Sequence, residues 1–510
     1  TETIQVHRVV QKVLRELMPP GERETFKRMV QLLVAAADPG DPQQPTHWPQ
    51  YAELFLHVAP ADLTSASGDA RVRRFVRNEV RYLYMRGEFS ASQDLAQAAK
   101  RSWSAVLVPQ DLDLVALNNH LANALRARGK YREARTLDEQ NLRFVQEHLG
   151  PDHLEALQAA NGLAATLRRL GEWRTAFDLD RDTLERSRCV YGPEHPRSML
   201  AANNYAVSLR MLGRFTEALE VDEENMRRLE RVYGEGHQYT MLAINNVARD
   251  LRECGQYRQS CAMQERTYER YSELFGAYHP DTMRAMKNLA VSRRKAGQYA
   301  EAAALARECL GLHEARFGQD YPESVAAATN FANDLRLTGD DVAARARAED
   351  AWQRSRRTAG DTHPYTLAAA TNTAVAFRRI GDPAAAREID ERTCEGFRET
   401  LAADHPYALA CLTNLASDLS ATGEPEQARK IGEQALEQLR QIRGWNHPYT
   451  LACAVNLAAD FRALGDRLFA SSLEQDTLER YESTLGGAHP EAVAAAERAR
   501  IDCDIEPPPT

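Results

Sequence analysis

A chain of 510 residues with 27% charged and 43% hydrophobic side chains is suited to a packed fold and not to disorder. Its net charge of -9, from 64 basic and 73 acidic residues, argues against a general nucleic-acid binder, which would be basic. No run approaches the ~18 consecutive apolar residues of a membrane span, and the start, Thr1-Glu2-Thr3-Ile4, has neither an initiator Met nor a signal-peptide layout.

The expectation is therefore a trimmed piece of a longer, cytoplasmic chain. Residues 4–7 read as a short strand entering an amphipathic helix over 8–18. Pro19-Pro20-Gly21 breaks that helix, and a second spans 22–37. Residues 39–67 form a Pro-rich connection with a short helix.

From residue 68 to 489 the chain repeats with a period of 42. Glycine recurs at Gly87, Gly129, Gly171, Gly213, Gly255, Gly297, Gly339, Gly381, Gly423 and Gly465 without a break in register. A second glycine column runs from Gly150 to Gly486 and is interrupted at Ala402. A histidine column runs His153, His195, His237, His279, His363, His405, His447 and His489, with Tyr321 as the exception. Each unit reads as two helices. In one of them His195-Pro196 is a start signal, a first helix over 197–212 stops at Gly213, and a second over 215–233 stops at Gly234. Ala218 and its equivalents are the small residues that let paired helices approach. A single pair cannot bury its apolar face, but stacked pairs share one core. The fold class expected is all-α: a right-handed superhelical solenoid of about ten helix-turn-helix repeats. Residues 490–501 are expected to form a capping helix and 502–510 a disordered tail.

At about 100° per residue, Tyr205, Ala206, Leu209 and Leu212 fall on one side of the first helix, and Asn203, Asn204, Val207 and Arg210 on the other. The Asn204 column continues through Asn246, Asn288, Asn330, Asn372, Asn414 and Asn456, and backwards to Asn78, broken by His120 and Gly162. The Arg210 column continues through Arg252, Arg294, Arg336 and Arg378, broken by Tyr84 and Ser420. Carboxamides offer the paired donor and acceptor that an extended backbone needs, and guanidinium groups suit carboxylates. The competing reading is structural: Asn bonding across layers, and Arg paired with Asp250, Asp334, Asp418 or Asp460 as solvated ion pairs. The histidines lie in different layers, too far apart to share a metal, and read as helix caps. The eight cysteines include no CxxC pair and read as small core residues. No catalytic motif occurs, so neither an enzyme nor a cofactor or metal is expected.

Stretches such as NNYAVSLRMLGRFTEALEVDEENMRRLERVYGEGH resemble tetratricopeptide repeats of the kinesin-light-chain type. The late units depart from that pattern where Asp341, Pro383, Pro425 and Arg467 replace the aromatic after the glycine (Trp173, Phe215, Tyr257), and weaker packing at the turn is expected there. The resemblance implies that the first helices line a concave groove. It also implies that Asn204, Asn246, Asn288, Asn330, Asn372, Asn414 and Asn456 clamp the main chain or C-terminal carboxylate of a bound peptide. The run IQVHRVVQKVLRELM resembles the end of the winged-helix segment of actinobacterial NB-ARC (STAND-type) signalling NTPases, some belonging to the FxSxx-COOH systems, so residues 1–38 would be a remnant of it. That implies a sensor domain whose ATPase lies upstream. The expected partner is a protein or peptide, an acidic segment or free C-terminus, bound by a monomeric fragment with no nucleic acid or membrane partner. The alternative is a small-molecule sensor whose superhelix encloses a metabolite.

Overall fold

The computed structural model describes residue 6, residues 8–108 and residues 111–506. Among these the regular elements are all helical. Helices Arg8–Leu17 and Pro20–Ala36 meet at the expected Pro-Pro break, whereas the strand expected over 4–7 lies outside the described residues, Val6 apart. No described helix is long and apolar enough to cross a membrane.

The repeat unit follows from its caps. First helices such as Pro196–Met211 have 16 residues, and second helices such as Phe215–Tyr233 have 19. His195 Nδ1 accepts the Arg197 N–H at 3.2 Å, satisfying one orphan donor of the first turn. Gly213 N–H then bonds Arg210 O at 3.0 Å and Arg214 N–H bonds Leu209 O at 3.0 Å, a Schellman closure that needs the left-handed φ of +74° at Gly213. Where Ala402 replaces the second-column glycine, the helix stops at Thr400 and Leu401 turns extended, so the missing glycine is absorbed by one lost residue. The alanines of the column are fully buried, Ala134, Ala176 and Ala218 included, and so is Ser260, which takes the position in one repeat.

The chain divides into two compact units, residues 1–166 and 167–510. In the first, Asn78 donates to Asp38 Oδ2 at 2.9 Å and to the Gly40 carbonyl at 3.3 Å, fixing the start of the connection.

In the second unit the array coils back on itself. His363, His405, His447 and His489 each place Nε2 at 2.9–3.2 Å from a carbonyl 194 residues earlier, those of Arg169, Met211, Glu253 and Lys295. That return distance is about 4.6 repeats, so the column expected to cap helices also latches one superhelical turn to the next. Pro406 Cδ would lie 2.3 Å from a Cβ on Gly213, and Pro448 Cδ 2.7 Å from one on Gly255; glycine is what permits the approach.

The aromatic column has the same use. Trp173 packs against Tyr365 and His405 with ring centroids 6.1 and 6.0 Å away, and the Phe215 ring receives the Arg443 guanidinium at 4.6 Å. The replacements Asp341, Pro383, Pro425 and Arg467 follow Gly339, Gly381, Gly423 and Gly465, where a Cβ would meet nothing within 4 Å. The weakening expected there is offset locally: Asp340, Asp382 and Asp466 cap the second helices through their carboxylates.

Two expectations are corrected at the end of the chain. The last helix is Pro490–Ala496 and stops short of residue 501. Arg498 takes φ +62°, with Ala499 N–H bonded to Ala494 O at 2.9 Å. Residues 502–506, expected to be disordered, continue extended from Ile501 along the first helices, all of them buried except the half-buried Asp502. Ile501-Asp502-Cys503-Asp504-Ile505-Glu506 alternates apolar and acidic residues, the period of an extended segment with two differently used faces. Not every cysteine is a core residue either, since Cys189 is exposed.

Candidate functional site

Three first helices, Pro364–Arg379, Pro406–Ala421 and Pro448–Ala463, present Asn372, Asn414 and Asn456 one repeat apart on a common face. Each carboxamide grips one residue of the C-terminal segment twice. Asn456 donates to Ile501 O at 2.8 Å and accepts from Ile501 N at 2.9 Å. Asn414 does the same to Cys503 at 2.9 and 3.0 Å, and Asn372 to Ile505 at 2.8 and 2.9 Å. The grip falls on every second residue and runs against the order of the repeats. A main chain held this way needs no particular side chain, and each hydrogen bond adds roughly 1 kcal/mol.

The side chains are sorted by face. Ile501, Cys503 and Ile505 join a core with Leu415, Leu451 and Tyr481. Asp502, Asp504 and Glu506 meet the cations. Arg336 pairs with Asp502 at 2.9 Å and also with Asp504, and Arg378 reaches Asp502 at 2.7 Å. Glu506 lies 3.1 Å from Arg294 and 3.0 Å from Lys295. Tyr449 and Tyr407 donate their hydroxyls to the Asp504 and Glu506 carbonyls. Burial alone would raise the Asp502 and Glu506 carboxyls. Arg378 and Arg336 instead hold Asp502 below the usual range, and Lys295 and Arg294 hold Glu506 at about 2.

The arginine column serves two purposes, which its partners twelve and forty residues further on decide. Arg210 is 2% exposed and pairs with Asp222 at 2.5 Å and Asp250 at 2.6 Å. Burial pushes Asp250 well above a normal carboxyl; Arg210 opposes this and the nearby Asp222 adds to it. Arg252 spends a donor on Ser292 Oγ at 3.2 Å. Arg294 pairs with Asp334 at 3.0 Å, and Arg378 with Asp418. These are buried ion pairs and not the solvated ones expected. At Arg336 the two equivalent positions are Ala348 and Ala376, and its carboxylate partners come from the C-terminal segment. The gap at Ser420 is filled in space: Arg500 bonds Ser420 Oγ at 2.7 Å and pairs with Asp460.

The upstream carboxamides are placed differently. Asn246 donates to Asn203 Oδ1 at 2.8 Å and Asn288 to Asn245 Oδ1 at 3.1 Å, bonds across layers. Asn204 and Asn330 accept from Arg168 and Arg294 at 3.5 and 3.4 Å. The twelve candidate residues thus divide. Asn372, Asn414, Asn456, Arg294, Arg336 and Arg378 converge on the C-terminal segment, and the other six engage the framework. Lys295, Tyr407 and Tyr449 were missed; the His-Pro-Tyr triplets at 363–365, 405–407 and 447–449, absent from the repeats before them, were a partial signal, since the first of them turns its tyrosine to Met211 and Trp173.

Paired helices stacked in register around a polar inner column define a solenoid of helix-turn-helix repeats, a scaffold for protein–protein interaction. The chain belongs to the tetratricopeptide repeat family: one tetratricopeptide repeat profile matches residues 112–188, 239–315, 323–399, 386–441 and 407–483, and a second matches 198–239. Among solved structures, a putative kinesin light chain of Podosopora anserina with nearly identical repeats is 22% identical over 39% of this chain and 95% of its own, with a TM-score of 0.33. BtubC (BKLC) from P. vanneervenii is 20% identical over 46% of this chain and 92% of its own, with a TM-score of 0.33. A Rap protein complexed with Competence and Sporulation Factor is 12% identical over 80% of this chain and 99% of its own, with a TM-score of 0.48. No curated protein matches the chain.

Proposed function

We propose that this chain is a peptide-binding scaffold whose inner groove takes an extended segment, gripping its main chain through Asn372, Asn414 and Asn456 and its acidic side chains through Arg294, Lys295, Arg336 and Arg378. The observation that carries the reading is the double hydrogen bond from each of three successive carboxamides to alternate residues of one extended segment. In the larger setting we propose a sensor region of a signalling NTPase, a reading supported by the sequence resemblance of the first sixty residues. The metabolite-sensing alternative gains no such support, because the face that would line its cavity is packed by Ile501, Cys503 and Ile505.

The test is titration calorimetry with a synthetic peptide that alternates apolar and acidic residues, in excess, against the full chain. Binding is expected to weaken with salt, as charge pairing requires. It should fall at least tenfold in Asn414→Asp, which keeps the side-chain volume but turns a donor into an acceptor facing a carbonyl. A peptide with Lys in place of the acids should not bind. Equal binding of the acidic and basic peptides would refute the reading.

A further inference from the structure

We propose that residues 500–506 are an intramolecular ligand, which a partner segment of the same alternating apolar and acidic chemistry must displace before it can occupy the groove. The inference rests on the peptide-groove reading and names the groove's occupant and its regulation. Its first support is electrostatic. Arg294, Lys295 and Arg336 are at most 7% exposed, and Arg336 has alanines where other arginines of its column have a framework acid or hydroxyl. Emptying the groove would strip that guanidinium of both its carboxylate partners, Asp502 and Asp504. The groove therefore favours an anionic occupant over none.

The second support is the fit of Arg500. The arginine column lapses at Ser420, yet Asp460 still awaits a cation there, and Arg500 supplies it from the C-terminal segment. The segment thus completes a pattern of the repeats in register, from Arg500 at Asp460 to Glu506 at Lys295.

The third support is a conflict between local and tertiary preference. The other first helices run 16 residues, whereas the last stops after 7. It stops inside the run Ala494-Ala495-Ala496-Glu497-Arg498-Ala499-Arg500, whose residues favour helix, and it does so with a non-glycine residue at φ +62°. A left-handed arginine is strained, and the grip of the groove offsets that strain. Released from the groove, the segment relaxes by continuing the helix begun at Pro490. The two states, extended segment in the groove and helix out of it, are the bistable element that a partner would bias.

The probe is a fluorescent peptide with the sequence of residues 499–510, titrated into the full chain and into the full chain carrying Asp502→Lys and Asp504→Lys. The substituted chain is expected to bind at least tenfold more tightly and to show slightly more helix by circular dichroism. Native-state hydrogen exchange on the unsubstituted chain gives a reading independent of any variant. The Ile501, Cys503 and Ile505 amides should exchange at least a hundredfold faster than those of Leu415 and Leu457, and faster still when the peptide is added. Equal affinity of the two chains overturns the proposal, and so does exchange of the segment in step with the core helices, which would make it a permanent strap. If neither chain binds the peptide, the groove reading itself fails, a result distinct from equal binding by both.

Discussion

Gly213→Ala is expected to destabilise the chain well beyond Gly423→Ala, although the two glycines are equivalent in sequence and close the same turn. Both are left-handed, at φ +74° and +88°, so an alanine at either position carries the strain of an L-residue there, about 1–2 kcal/mol. At Gly423 nothing lies within 4 Å of the added Cβ and the cost stops there. At Gly213 the new methyl would sit 2.3 Å from Pro406 Cδ and 2.9 Å from Cγ, on a ring that starts a helix and cannot swing aside. Either Pro406 moves, pulling His405 off the Met211 carbonyl, or the turn around Gly213 opens. Overpacking of this kind adds about 1–3 kcal/mol. Urea denaturation of both variants beside the parent chain reads the difference. Equal losses would mean that the two superhelical turns are not in contact in solution.

That contrast also marks where the sequence stops being informative. A strict period of 42 exposes the helices, their caps and their inward columns, because each depends on neighbours within one or two repeats. The boundary at Tyr233 and the buried alanines follow from this alone. The return after 194 residues does not. It accumulates from small rotations per repeat, set by packing that the column letters leave undetermined, so Gly213 and Gly423 look alike on the page. The aromatic column carried a partial trace of it: Trp173, Phe215 and Tyr257 stand where a later turn lies against them, and polar residues or proline follow where none is described.

The arginine column misled for a related reason. Arg210 and Arg336 are the same residue at the same position. Their roles diverge because Asp222 and Asp250 answer the first, whereas Ala348 and Ala376 leave the second to Asp502 and Asp504. Those partners were readable twelve and forty residues on, had each arginine been followed separately. The alternation in residues 501–506 was readable too, but six residues before a Pro-rich end resemble a tail until the groove they match is known.

The histidine latches are expected to fail in acid, one proton at a time. His405 accepts the Tyr407 N–H at Nδ1, 3.1 Å away, and therefore carries its hydrogen on Nε2, which is donated to the Met211 carbonyl at 3.0 Å. One neutral tautomer satisfies both bonds, and a second proton has no place except against the Tyr407 N–H. Burial lowers its pKa to about 4, and Arg443 nearby acts in the same direction. Burial likewise takes His363 to about 4 and His447 well below its ordinary value. Because the unfolded chain protonates near 6.5, it binds more protons than the folded one between that pH and about 4. Each such histidine then removes about 1.4 kcal/mol of stability per pH unit as pH falls through the window. Buried carboxyls such as Asp334, raised to about 6, and Glu491, raised to about 7, contribute with the opposite sign. The histidine contribution is therefore read as a difference: the stability of the chain minus that of His405→Asn, by urea denaturation at pH 7.5, 6.0 and 5.0. Asparagine can still cap the helix but has no imidazole to titrate. The advantage of histidine should be greatest at pH 7.5 and shrink by about 1 kcal/mol or more by pH 5.0. A pH-independent difference would show that His405 is not held neutral between two turns of the superhelix.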